Sequence, residues 1–230
     1  MKIAGYEKLS LQDFPNQISC IIFTQGCNIR CPFCQNSTLI PMDAKNLISE
    51  DEIFDYLNLR KNIISGVTIS GGEPTLQPDL ENFIDKVKDL KLKVKLDTNG
   101  LNTKLLEKLI ENQKIDYVAM DIKNSLNKYS LTSGVAKINM QNILNSIELL
   151  KKGKVDYEFR TTIINEFHTL QDIIEIIKLV GNSKYYLQNF KNSEYVLDKT
   201  LTSFTEEKIV LWNEILKEYP NVYIRGMQKK

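Results

Sequence analysis

Short apolar, β-branched runs alternate along the chain with stretches whose apolar residues recur at three- and four-residue intervals. These are the two periods of strand and helix. Ile18–Phe23 reads as a first strand. Ser49 opens a helix, with Glu52 placed to complete a capping box. Val67–Ser70 is a second strand, stopped by Gly71-Gly72. Asp79–Leu90 is helical, with Leu80, Phe83, Ile84 and Val87 on one face. Lys93–Leu96 is a third strand, ended by Asp97-Thr98-Asn99-Gly100, and Thr103–Asn112 is helical. Tyr117–Ile122 is a fourth strand. Asn139–Lys152 is a helix that Gly153 stops in the usual C-terminal position. Tyr157–Ile164 is a fifth strand and Leu170–Val180 a helix followed by Gly181. Tyr185–Phe190 is a sixth strand, Thr205–Tyr219 a helix, and Val222–Arg225 a short final strand.

Repeated β-α units imply an α/β fold with a parallel sheet and right-handed crossovers. A complete eight-fold barrel needs about 250 residues, and about six units fit here. The expectation is an open partial (βα)6 barrel of the TIM type, with residues 1–230 as a single domain. Ligands of such folds sit at the C-terminal ends of the strands. Each unusual motif in the chain falls at one of those ends.

Composition narrows the function classes. The chain has 230 residues, 42% hydrophobic and 26% charged, with a net charge of +1, which gives no electrostatic case for nucleic acid. The N-terminal segment lacks an apolar leader, and the longest apolar runs are too short to span a bilayer. A cytoplasmic protein without a membrane partner is expected.

Four cysteines change the picture. In a reducing compartment they are not expected to pair as disulfides. Three fall in Cys27-Asn-Ile-Arg-Cys31-Pro-Phe-Cys34, a clustering that reads as metal ligation. A cubane of four irons held by three thiolates keeps one iron open to another ligand, whereas an electron carrier closes its cluster with four. Structural zinc wants four ligands, usually as two close pairs. Only one C-x2-C pair exists, and the one histidine, His168, is remote and reads as a surface residue. Cys20, within an apolar strand, reads as a core thiol, and Trp212 as a core residue of the last helix.

Other strand ends carry further candidates. Gly71 and Gly72 let backbone approach a ligand, and Glu73 can accept from an ammonium, although a plain turn has the same composition. Asp and Asn in Asp97–Gly100 suit a turn without further purpose. Asp121 and Lys123, two apart, point to the same side of a strand and could form a local ion pair. Arg160 in an apolar strand needs a partner, such as Glu73 or a ligand carboxylate. Gln188 is a weaker candidate in the sixth strand.

The Cys27–Cys34 loop, with Phe33 before its third cysteine, resembles the cluster loop of the radical S-adenosylmethionine superfamily. Ser70-Gly71-Gly72-Glu73-Pro74 resembles that superfamily's Gly-Gly-Glu motif. Lys8–Pro15, Gln25-Gly26-Cys27 and Asn36 resemble glycyl-radical-enzyme activases. Most similar are the activating proteins of anaerobic ribonucleoside-triphosphate reductase, over nearly the whole chain. Gln35 departs from a histidine common in activases, and Asn16 from a glycine common after the Asp-x-Pro motif.

The resemblance implies a [4Fe-4S] cluster on Cys27, Cys31 and Cys34. It implies S-adenosylmethionine bound by Phe33, Asn36, Gly71, Gly72, Glu73, Asp97, Thr98, Asn99 and Lys123, with Arg160 and Gln188 as further candidates. Glu73 would take the methionine ammonium and Lys123 would lie near its carboxylate. A monovalent cation near Asp97, Thr98 and Asp121 belongs to the same picture. One-electron cleavage of the cofactor would give a 5′-deoxyadenosyl radical, which takes a glycine Cα hydrogen from a large glycyl-radical partner. Anaerobic ribonucleotide reductase is the expected partner, and a flavodoxin- or ferredoxin-type protein the electron donor. Alternatives are an activase of a pyruvate formate-lyase-like enzyme, a radical enzyme acting on a small molecule, an electron carrier and a zinc-stabilised module. With no cysteines beyond Cys20, an auxiliary cluster is not expected.

Overall fold

The computed structural model describes residues 1–44 and 46–225. Its strands are β1 (Ile3–Ser10), β2 (Ser19–Thr24), β3 (Gly66–Gly71), β4 (Lys93–Thr98), β5 (Tyr117–Asp121), β6 (Asp156–Ile163), β7 (Tyr185–Asn189) and β8 (Val222–Ile224). Its helices are α1 (Glu50–Arg60), α2 (Leu80–Asp89), α3 (Thr103–Glu111), α4 (Tyr129–Ser133), α5 (Met140–Lys151), α6 (Leu170–Val180) and α7 (Glu206–Ile215). The strands follow one another in an eight-stranded sheet in chain order, from β1 to β8. The α/β class and the parallel pairing agree with the sequence pattern. Two elements were not announced by it: β1, which runs antiparallel to β2, and the five-residue helix α4.

Contacts divide the chain into two compact units. The first takes residues 1–28, 38–119 and 142–157; the second takes 29–37, 120–141 and the chain from 158 onward.

In the first unit β2–β3 and β3–β4 are parallel, with Val67 opposite Val94 and Ile69 opposite Leu96. Val67, Ile69, Val94 and Leu96 are fully buried. They meet helices whose apolar residues are spaced to form one stripe. On α2 the residues Leu80, Phe83, Ile84 and Val87 are all buried, each contributing about 1.5–3 kcal/mol. Ser49 caps α1 by accepting the Glu52 amide. Asn16, in the connection from β1 to β2, has φ of 60°. Asparagine tolerates this left-handed conformation better than most residues, so the departure from glycine is a conformational equivalent.

In the second unit β6–β7 and β7–β8 are parallel. Ile173, Ile176 and Val180 of α6 are fully buried, as are Phe159 and Leu187. The Tyr185 hydroxyl donates to Thr161 at 2.7 Å. Trp212 is a core residue, edge-on to Phe204 at 4.6 Å. Among the described residues no helix is long and apolar enough to cross a membrane.

Candidate functional site

In the first unit the end of β3 is joined to the residue before the first loop cysteine. The Gly72 amide donates to the Thr24 carbonyl at 2.9 Å, and the Glu73 amide to the Gly26 carbonyl at 2.8 Å. A methyl on Gly72 would lie 2.1 Å from that Gly26 oxygen, and one on Gly71, at φ 113°, 2.3 Å from the Thr24 nitrogen. Both glycines are therefore demanded by chain-to-chain approach, a sharper reason than room for a ligand. Gly26 and Cys27 are held in turn by amide bonds to the Leu39 and Ile40 carbonyls, at 2.8 and 3.1 Å.

Glu73 is buried and is the hub of this half. Its Oε1 accepts from the Thr75 amide at 3.2 Å, the Thr75 hydroxyl at 2.6 Å and the Thr98 hydroxyl at 2.8 Å. Its Oε2 accepts from the Asn99 amide at 2.7 Å. Burial raises the carboxyl pKa, opposed by the bonds from Thr75, Asn99 and Thr98. A carboxylate oxygen with one donor can still accept from an ammonium group. Asn99 extends the network, donating from Nδ2 to Asn28 Oδ1 at 2.7 Å. The motifs around Glu73, Thr98 and Asn99 thus form one hydrogen-bonded set with the cysteine loop. Asn28 belongs to it but was not singled out, because a lone polar residue inside a C-x3-C spacer has no signature.

Asp97 is met by the chain on both oxygens. Lys95 Nζ lies 2.8 Å from Oδ1, and the Ser70 hydroxyl donates to Oδ2 at 3.0 Å. Lys95 is fully buried and also reaches Asp13 at 3.3 Å.

In the second unit Asp121 lies between two cations. Its Oδ1 is 2.9 Å from Arg160 Nε and its Oδ2 2.9 Å from Lys123 Nζ. Arg160 therefore has Asp121 as an acid partner, whereas Glu73 is held by threonine and backbone donors. Dehydration would raise the Asp121 pKa, but the Arg160 and Lys123 charges outweigh it and hold the carboxyl well below the usual range. Lys123 is raised: dehydration works against its charge, and Asp121 overcomes it with help from Cys31. The ammonium also lies 6.0 Å from the centre of the Phe33 ring.

Cys31 is buried and Cys34 half-buried. Burial raises the Cys34 thiol, opposed by the Asn36 amide and the Lys123 charge. The Cys34 amide donates to the Cys31 carbonyl at 3.0 Å. Phe33 is buried beside Phe167, with ring centres 6.5 Å apart. The side chain of Asn36 is exposed. Gln188 is half-buried on β7, opposite Thr162. The Gln35 amide donates to the Lys191 carbonyl at 2.7 Å.

His168 corrects the sequence reading. It is buried rather than exposed, with Nδ1 accepting the Ile164 amide at 3.1 Å and Nε2 2.9 Å from the Lys123 carbonyl. A backbone amide only donates, so Nδ1 is the bare nitrogen and Nε2–H donates to Lys123. A second clamp lies on the cysteine loop. The Arg30 amide donates to the Ser133 carbonyl at 2.9 Å, and a methyl on Gly134 would lie 2.0 Å from the Arg30 oxygen. The tight end of α4 seats the loop backbone.

Cys27, half-buried, belongs to the first unit and Cys31 and Cys34 to the second. The Asn36 amide directed at Cys34 and the Lys123 charge acting on Cys31 and Cys34 are surroundings that favour thiolates, the form in which cysteine holds a metal. Residues 21–180 match the model of the radical SAM superfamily, and the chain belongs to that superfamily. Its cofactors are a [4Fe-4S] cluster and S-adenosylmethionine.

The chain is 34% identical, over 97% of its length and 95% of the relative's, to a Methanocaldococcus jannaschii protein provisionally named a glycyl-radical enzyme activating enzyme. It is 28% identical to the pyruvate formate-lyase-activating enzyme of Clostridium pasteurianum, over 79% of this chain and 78% of that one. Among solved structures, Streptococcus suis SuiB bound to its precursor peptide superposes with a TM-score of 0.72 at 18% identity. That match covers 90% of this chain and 48% of SuiB, and it speaks to the fold.

Proposed function

We propose that this chain is an activating enzyme that installs a glycyl radical on a larger partner protein. The observation that carries the reading is the similarity, along almost the whole chain, to a relative named for that activity.

Cys27, Cys31 and Cys34 would hold the cluster, and Glu73 Oε2 would accept the methionine ammonium of S-adenosylmethionine. Lys123, fixed by Asp121 and His168, would meet the methionine carboxylate, with Arg160 behind Asp121. Gly71, Gly72, Thr98 and Asn99 would fix Glu73, while Phe33, Asn36 and Gln188 would complete the cofactor contacts. When bound, cluster and cofactor supply a one-electron cleavage whose 5′-deoxyadenosyl product takes the glycine Cα hydrogen. The chain's own work is to bind, orient and exclude water. We assign anaerobic ribonucleoside-triphosphate reductase as the partner and a flavodoxin- or ferredoxin-type protein as the electron donor, in the cytoplasm.

The test is anaerobic mixing of the reconstituted protein, S-adenosylmethionine and a one-electron reductant with anaerobic ribonucleotide reductase or, in parallel, pyruvate formate-lyase. A glycine-centred paramagnetic doublet in the reductase alone supports the assignment. A doublet in the lyase alone keeps the activase and replaces the partner. Cofactor cleavage with no deuterium passing from labelled glycine into 5′-deoxyadenosine, in either mixture, overturns the activase reading.

A further inference from the structure

Lys95 has no part in the steps above, yet it is fully buried on β4. A buried ammonium is costly unless acids surround it, and an apolar residue of similar volume would serve packing as well or better. Strand alternation places Lys95 and Asp97 on the same face, two residues apart, with the ammonium 2.8 Å from Asp97 Oδ1. Asp13 supports it from the β1–β2 connection at 3.3 Å, and Ser70 occupies the other Asp97 oxygen at 3.0 Å. The same economy holds at Asp121, whose two oxygens face Arg160 and Lys123. Both acids at which a monovalent cation was expected are thus compensated by side chains of the chain itself.

We propose that Lys95 is a tethered cation: its ammonium takes the place of a bound alkali ion at Asp97, so this chain binds S-adenosylmethionine without potassium or sodium. Lys95 acts through Asp97 as a positioning residue. Its ammonium fixes the Asp97 side chain at the turn where Thr98 and Asn99 hold Glu73. The proposal rests on the cofactor site assigned above. Being covalent, the cation is present at every salt composition, and a bound ion is not.

The test uses the cluster-reconstituted protein and reads S-adenosylmethionine affinity by anaerobic equilibrium dialysis. Buffers of equal ionic strength contain tetramethylammonium, sodium or potassium as the cation. The wild type should bind equally in all three. Lys95→Met should bind about tenfold or more weakly in tetramethylammonium, the scale of a lost charged interaction, and regain much of that affinity in potassium or sodium. Iron content is measured in each sample, and the wild-type arm needs no substitution to fold. A wild type that binds only with alkali ion overturns the tethered cation while leaving the cofactor site intact. Lys95→Met with no recovery in either alkali salt overturns it too. A wild type that binds no S-adenosylmethionine in any buffer removes the underlying assignment instead.

Discussion

The His168 ring and the Lys123 backbone are joined by a 2.9 Å hydrogen bond, so the imidazole seats the lysine that neutralises Asp121. Burial lowers the histidine pKa below 6.5, against the pull of its bonds to Lys123 and Ile164. The neutral ring is thus the folded form. The unfolded chain binds more protons between 6.5 and the lower folded value, so stability in that window falls as pH falls. As the chain has one histidine, its imidazole proton resonances report a single titration, expected below 6.5. His168→Gln should abolish the histidine contribution to the pH dependence of unfolding. A titration at or above 6.5 would contradict the seating.

Gly72 is expected to resist the smallest substitution. Gly72→Ala drives a methyl against the Gly26 oxygen that accepts the Glu73 amide. Overpacking of this kind costs about 1–3 kcal/mol. A lower thermal midpoint together with reduced iron after reconstitution is the expected result, because the displaced carbonyl immediately precedes Cys27.

Glu73→Gln should behave unlike a conservative change. Whichever way the amide turns, its NH2 faces a backbone amide donor, Thr75 on one side or Asn99 on the other. The clash of donors should lower the stability of the apo protein by about 1–3 kcal/mol, measured by urea unfolding. Weaker S-adenosylmethionine binding in the loaded protein should accompany it. An unchanged unfolding midpoint would refute the hub.

Replacement of Cys27, Cys31 or Cys34 by alanine should each abolish cluster binding, read as iron and the visible charge-transfer absorption. Cys20→Ala should keep the cluster and lose about 1 kcal/mol of stability. Cys20 is fully buried on β2, and burial pushes its thiol up to about 12. Iron retention in all three loop variants would refute the ligand set.

Much of this was legible in the chain. The α2 stripe, the Ser49 cap and the parallel strands follow from periodicity and stop signals. The edge strand β1 was not, because only Ile3 of its eight residues is buried, leaving little alternation to read. His168 was misplaced for a related reason. Its burial depends on two backbone groups, Ile164 N–H and the Lys123 carbonyl, and backbone partners leave no mark in sequence. The motifs named Glu73 and Lys123, but not their support: Asn28 and Gly134 act through contacts far apart in sequence, and Lys95 joins its near neighbour Asp97 to the distant Asp13. The pairing of Arg160 with Asp121 was one of several open to a buried guanidinium.

The seating of Arg30 against Ser133 and Gly134 bears on how the protein would recover from oxygen. Main-chain bonds hold this part of the cysteine loop, and the Pro32 carbonyl is held likewise by the Asp198 amide at 2.9 Å. A molecule stripped of its iron should keep the local course of its backbone there. Repair would then be a matter of refilling a socket rather than rebuilding one. Protease cleavage near Arg30 should be equally slow before and after chelation of the metal, and reloading should proceed without a slow conformational phase.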